Sequence, residues 1–189
     1  MRTSMGMGES EDVAKGAAWL LSHYQGKLIL DADGLNSLVR YGESLPALFC
    51  TKKCDVLLTP HVKEFSRLSN LDVGAIVWGG LSQPKSFAET LGANVLLKNA
   101  VSVLSDGVRI SVNASGCSGQ AKAGSGDVLS GVIAGLCAMG LSTFDAGALG
   151  SYLTGKAAEF ACETLGAYSM TATDVISYLG RAFLYISDC

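Results

Sequence analysis

The sequence predicts an α/β domain built on a central, mainly parallel sheet flanked by helices. Three observations carry this. Short apolar runs end abruptly in polar residues, as in Leu28-Ile-Leu-Asp31, Val56-Leu-Leu-Thr59 and Val95-Leu-Leu-Lys98. Segments with helical spacing of apolar residues separate these runs. Strands that read as continuous apolar runs, and alternate with helices, belong to parallel sheets covered on both faces. The third observation is size: 189 residues, 49% apolar and 16% charged, are enough for one sizeable core.

Taken in order, residues 11–24 place Val13, Ala17, Leu20, Leu21 and Tyr24 on one helical face, with Ser10 as the cap. Lys27 to Leu30 is a buried strand that delivers Asp31 and Asp33 to its carboxyl end. A short helix is expected over Leu35 to Tyr41, and a second strand over Asp55 to Thr59 that Pro60 stops. His61 opens the next helix, running to Leu68. The glycine-rich stretch from Gly74 to Gly80 matches no period, and Ser86 to Leu91 is helical. Val95 to Lys98 is a strand, followed by a hairpin of Val101–Leu104 and Val108–Val112 around Asp106-Gly107. From Ser125 onward the pattern is helical over 125–140, 144–165 and 171–185. No repeat or linker composition divides the chain, so 1–189 is read as one domain.

Composition excludes several functions. Fourteen basic against seventeen acidic residues give a formal charge of −3, which offers no general attraction to nucleic acid or an anionic membrane. No apolar leader is present at the start, and the uncharged run from Val128 to Phe144 is interrupted by Gly131, Gly135 and Gly140, which suits a buried helix. The six cysteines form no CxxC pair and read as reduced packing thiols of a cytoplasmic protein. His23 and His61 lie far apart and give no zinc spacing.

The most informative segment is Asn113-Ala-Ser-Gly-Cys-Ser-Gly-Gln-Ala-Lys-Ala-Gly124-Ser-Gly-Asp127-Val-Leu-Ser-Gly. Gly124 and Gly126 allow a ligand to approach the backbone where a long helix begins, and the free amides of such a turn bind anions. No GK[ST] follows, so this is not a Walker A loop. Two readings of Asp127 fit: a helix-capping carboxylate, or a base that deprotonates an alcohol while the amides hold a phosphoryl group. The polar strand tips Asp31/Asp33, Thr59/His61 and Lys98 collect on the same side of the sheet, where ligands of α/β proteins sit. Each has a plainer alternative: Lys98 as a solvated strand end, His61 as a helix start, and Asp31 and Asp33 as turn and cap residues in place of a water-mediated magnesium site.

GSGDVLSG after NASG, with LTPHVKEFSRL and LDADGLN upstream, resembles the ribokinase-like superfamily and within it the NAD(P)H-hydrate dehydratases. The motifs occur in the family's order, and the resemblance runs from Met5 to Leu179. It implies a ribokinase-like layered fold and repair of hydrated NADH or NADPH: ADP or ATP, with Mg2+, phosphorylates the hydrate hydroxyl, and phosphate then leaves. Carried onto this sequence, it implies that Asp127 is the catalytic base. Gly124, Ser125 and Gly126 form the anion hole, and Lys98, Asn99, Ala100, Val101 and Ser102 wrap the nucleotide. Gly6, Gly8 and His61 join Asp127 in binding the hydrate. Partners are then the hydrate, an adenine nucleotide and further copies of the chain, with neither nucleic acid nor membrane.

Departures from the family pattern are also visible. Val62-Lys63 stands for Pro-Gly after His61, Asn99 for a glycine, and Thr154 for a histidine. Relatives carry early strands and a GGS-type turn ahead of the loop matched by Ser4-Met-Gly-Met-Gly8. The resemblance therefore implies an N-terminally truncated, partial domain with one wall of its pocket missing. Two further outcomes follow from the same motifs: a related small-molecule kinase, or a non-catalytic nucleotide-binding remnant.

Overall fold

A computed structural model describes residues 2–3, 7–41 and 44–187. Its six-stranded sheet runs in chain order: β1 (Arg2–Thr3), β2 (Lys27–Leu30), β3 (Asp55–Leu58), β4 (Asn94–Leu97), β5 (Ser102–Ser105) and β6 (Ile110–Asn113). The first four are mutually parallel, and β5 and β6 complete the sheet as an antiparallel hairpin.

This order dictates where the helices go. Each parallel connection crosses over with the same hand. Sequential strands therefore send α1 (Glu11–His23), α2 (Ala32–Tyr41), α3 (Leu45–Cys50), α4 (Val62–Ser69), α5 (Val73–Gly79) and α6 (Ser82–Leu91) to one face. After the hairpin, α7 (Ser125–Ala138), α8 (Thr143–Leu165) and α9 (Ala172–Ser187) cover the other. The period of two along each strand separates two cores. Leu28, Leu30, Val56, Leu58, Val95 and Leu97 pack with α1 to α6, whereas Ile29, Leu57, Leu96 and Leu104 pack with α7 to α9.

Most expected elements are present; β1 is a strand that the sequence reading did not assign, and four helices differ. The helix expected from Leu35 starts at Ala32, because Asp31 closes the turn: its carbonyl accepts from Gly34 N at 3.1 Å and its carboxylate from Ala32 N at 2.9 Å. The unassigned glycine stretch is α5, whose N-terminus Asp72 caps by accepting from Gly74 N at 2.7 Å. The helix expected from Ser86 begins at Ser82, with Pro84 in its first turn, where a missing amide costs nothing. Leu45–Cys50 forms a helix that the sequence reading did not assign, with Pro46 near its start. Among the described residues no helix is long and apolar enough to cross a membrane, and the described cysteines are free thiols.

Candidate active site

The glycine turn sits where α7 begins. Gly124 is its N-cap, at a φ of +88° that a side chain would strain. Val128 N is the first amide of α7 to reach an i−4 carbonyl, Gly124 O at 3.1 Å. The amides of Gly126 and Asp127 ahead of it belong to the unpaired set at a helix start. Asp127 is exposed and accepts no hydrogen bond from any described residue, so it does not serve as a cap.

Three separate elements converge on this turn. Lys98, just beyond β4, reaches back to Asp31 at the tip of β2, with Nζ 2.7 Å from Oδ1. The other carboxylate oxygen accepts from Ser130 Oγ at 2.8 Å, one turn into α7. Asp31 is 2% exposed. A Cβ placed on Gly126 would lie 3.6 Å from the Lys98 ammonium and 3.8 Å from Asp31 Oδ2, so the turn lies directly against this pair. Lys98 is thus neither free nor merely solvated, and Asp31 is committed to Lys98, Ser130 and its own turn.

His61 lies beside Lys98: the two form an isolated parallel bridge, and Lys98 N donates to Pro60 O at 2.8 Å. His61 is also the N-cap of α4. Its Nδ1 accepts from Glu64 N at 3.1 Å while its own amide donates to Glu64 Oε2 at 2.8 Å. The helix-start reading of His61 therefore holds, and its ring is half-exposed, with Nε2 3.4 Å from Glu64 Oε1. Beyond Lys98, Asn99, Ala100 and Val101 form the exposed β4–β5 connection, with Asn99 Oδ1 accepting from Ala100 N at 2.8 Å, and Ser102 opens β5. Gly8, at a φ of +74°, donates its amide to Asp33 Oδ2 at 2.9 Å. Gly6 lies outside the described residues.

The loop that feeds the turn is anchored to α8. Asn113 Nδ2 donates to Ser151 O at 3.1 Å, Gly116 N donates to Glu159 Oε1 at 2.8 Å, and Gln120 Nε2 donates to Thr154 O at 3.3 Å. Gly155 cannot carry a side chain, because its Cβ would fall 2.1 Å from Ser115 Oγ. Burial pushes the Glu159 carboxyl up, but the Lys156 ammonium and the Gly116 amide outweigh it and leave the group below the usual carboxylate range. Burial raises the Cys117 thiol in the same loop. Lys122 donates to Tyr168 O at 2.8 Å and Ala167 O at 3.1 Å, tying the α8–α9 connection to the turn.

Sequence reasoning missed Ser130, Lys122 and Glu159 as members of this site, and it left the role of Asp31 open. Ser130 had one usable signal: it stands four residues after Gly126, on the same helical face. Lys122 and Glu159 act across long sequence separations and left no local mark.

The arrangement suits a phosphate: two amides, a helix N-terminus and a nearby ammonium meet at a glycine with no side chain in the way. Among the described residues no three His, Cys, Asp or Glu side chains are grouped to hold a metal ion. Magnesium bound mainly through nucleotide phosphates and water needs no such cage.

Comparison with known proteins identifies the family. Residues 4–181 match the family model described as NAD(P)H-hydrate dehydratase. The chain is 35% identical over 179 residues to the bifunctional NAD(P)H-hydrate repair enzyme Nnr of Thermofilum pendens, covering 94% of this chain and 33% of that protein. It is 40% identical over 146 residues to the enzyme of the same name from Mycobacterium tuberculosis, covering 76% of this chain and 29% of that protein. It therefore spans about a third of the length of these curated relatives. The ADP/ATP-dependent NAD(P)H-hydrate dehydratase from Bacillus subtilis, co-crystallised with ATP/Mg2+, superimposes with a TM-score of 0.83 at 26% identity, covering 95% of this chain and 62% of that one. A ribokinase-like superfamily protein from Enterococcus faecalis, 23% identical with a TM-score of 0.77, shares the fold, covering 94% of this chain and 61% of that one. The chain belongs to the NAD(P)H-hydrate dehydratase family, on a ribokinase-like fold.

Proposed function

We propose that this chain carries the nucleotide-dependent dehydration of (S)-NAD(P)H-hydrate back to NAD(P)H, a carbon–oxygen lyase reaction that repairs damaged nicotinamide cofactor. The observation that carries the reading is the glycine turn at Gly124–Gly126, with the Lys98 ammonium held against Gly126 and the Asp127 carboxylate exposed beside it. In this reading the amides of the turn and Lys98 hold the phosphoryl group of ADP or ATP, and Mg2+ offsets phosphate charge. Asn99, Ala100, Val101 and Ser102 flank the nucleotide. Asp127 takes the proton of the hydrate hydroxyl as its oxygen bonds to the terminal phosphorus and the phosphoanhydride bond to the departing AMP or ADP breaks. The carbon–oxygen bond then breaks with phosphate as the leaving group, and the adjacent ring carbon releases a proton to solvent as the double bond is restored. His61 and Gly8 line the hydrate side. We further infer a cytoplasmic protein that assembles with copies of itself, for which light scattering on the purified chain is the check.

The test is direct. Hydrated NADH added with ADP or ATP and Mg2+ is expected to regain the reduced-nicotinamide absorbance. Asp127→Asn is expected to remove about 10²–10⁴-fold of the rate while the protein stays folded and binds nucleotide. A stable phosphorylated product would instead identify a small-molecule kinase. Nucleotide binding without turnover in the folded chain would identify a non-catalytic binding module.

A further inference from the structure

The geometry points to Asp31 as a positioning residue that holds the Lys98 ammonium at the glycine turn for phosphoryl transfer, an inference that rests on the dehydratase reading above. A carboxylate that is 2% exposed is costly to bury and needs partners. Its partners include Lys98 Nζ at 2.7 Å, Ser130 Oγ at 2.8 Å and Ala32 N at 2.9 Å. They join the tips of β2 and β4 to the second turn of α7. The chain bends sharply to place this carboxylate, since Ala32 adopts a φ of +40°, which a residue with a Cβ rarely takes. Buried ion pairs are often no more stabilising than an apolar replacement, so a fold gains little from one unless its geometry is used.

The geometry here has a use. Lysine is a flexible four-carbon stem with a mobile point charge. Bonded to Asp31, the ammonium spends one of its three donors, and the others remain for a ligand on the Gly126 side. Its side chain is 20% exposed, which leaves that side open. Asp31 also offsets the charge of Lys98, so the site does not hold a nucleotide anion too tightly in the ground state. Binding that is equal in ground and transition states adds nothing to turnover. Asp31 itself touches neither reactant in this reading; it acts through Lys98 and Ser130.

Asp31→Asn in the full chain removes the charge; its one carbonyl oxygen can still accept from Ala32 N, and its amide NH2 can donate to Ser130 Oγ in place of the bond that oxygen accepted. It is expected to lower kcat roughly tenfold or more, because misplacement of a positioned group is felt in the chemical step. The KM for nucleotide is expected to stay level or fall, since a negative charge has left an anion site. An unchanged kcat, or a KM that rises as kcat falls, would overturn the proposal. Ser130→Ala frees one carboxylate oxygen and is expected to reduce kcat by about threefold with the same split. If Asp31→Asn fails to fold, Ser130→Ala decides, and a raised KM at constant kcat counts against the role of Asp31. A second readout needs no turnover: trace reductive methylation of lysines, mapped by mass spectrometry. Lys98 is expected to react several times faster in Asp31→Asn than in the parent chain, and equal rates would refute its restraint by Asp31. A parent chain that fails to restore NADH would sink the dehydratase reading and leave this labelling result to judge Asp31.

Discussion

The two faces of the sheet are filled by different means. On the α1–α6 face, bulky residues meet the strands: Leu21, Leu38, Phe49, Phe65 and Leu91 are nearly or fully buried, and Phe65 meets Phe87 edge to face at 5.1 Å. On the other face α8 presents Ala146, Gly147, Gly150, Ser151, Ala157, Ala158 and Ala161. Small residues let this helix lie close to the sheet and to α7. A Cβ on Gly147 would come within 3.2 Å of Leu104 and 3.4 Å of Leu57. The first face supplies apolar area; the second supplies close registration, and it is the second that carries the glycine turn and its anchors.

Adjacent residues of β3 test this contrast with the largest expected effects. Leu58 faces the bulky core and Leu57 the small-residue core, and both are fully buried. Leu58→Ala and Leu57→Ala are each expected to cost about 2–5 kcal/mol in urea unfolding. The difference lies in rescue. Gly147→Ala places a methyl 3.4 Å from the position of Leu57 Cδ2, beside the space that Leu57→Ala vacates, and is expected to recover about 1 kcal/mol in the Leu57→Ala background and nothing in the Leu58→Ala background. Equal rescue of both would erase the distinction between the faces.

A smaller effect is expected at the α7–α8 crossing. A Cβ on Gly150 would fall 2.7 Å from Ile133 Cγ1 and 3.5 Å from its backbone, so Gly150→Val is expected to cost about 1–3 kcal/mol. Because it pushes on the helix that begins at the glycine turn, weaker nucleotide binding by calorimetry should accompany the loss. Gly131 and Gly135 on the outer side of α7 have nothing within 4 Å of an added Cβ. Alanine there is expected to stabilise by about 0.5–1 kcal/mol and leave nucleotide binding intact.

The same contrast explains how much the sequence revealed. Apolar runs ending in Asp31, Thr59 and Lys98 announced β2, β3 and β4, because a strand buried on both faces leaves an unbroken hydrophobic mark. Gly124-Ser-Gly-Asp127 was legible as a turn at a helix start, since only glycine takes a φ of +88° without strain. The stretch from Val73 to Gly79 was not legible, because its glycines argue against a helix that the Asp72 cap and burial of Ile76 stabilise. The union of Asp31, Lys98 and Ser130 was also hidden: the partners lie 67 and 99 residues away, and no local period reports such contacts. A left-handed Ala32 was equally invisible, because alanine gives no sign of strain until the carboxylate beside it finds its partners.

The smallest expected effect concerns the charge that holds the loop ahead of the turn. Glu159 accepts from the Gly116 amide at 2.8 Å and pairs with Lys156, and these partners outweigh burial to keep its carboxyl below the ordinary range. A carboxyl depressed in the folded state stabilises the fold above its unfolded pKa, and that contribution fades as pH falls through the folded value. The parent chain is therefore expected to lose stability on acidification from the ordinary glutamate range downward. Glu159→Gln should flatten this acid limb. At neutral pH the same variant should cost no more than about 1 kcal/mol, since the pair is partly solvated. Glutamine retains an acceptor for the Gly116 amide, so the difference between the two pH profiles isolates the charge from the hydrogen bond. Parallel profiles would mean that the charge of Glu159 adds nothing to the anchoring, and that the glycine turn is held instead by the neutral hydrogen bonds of Asn113, Gly116 and Gln120 and by the packing of Gly155 against Ser115.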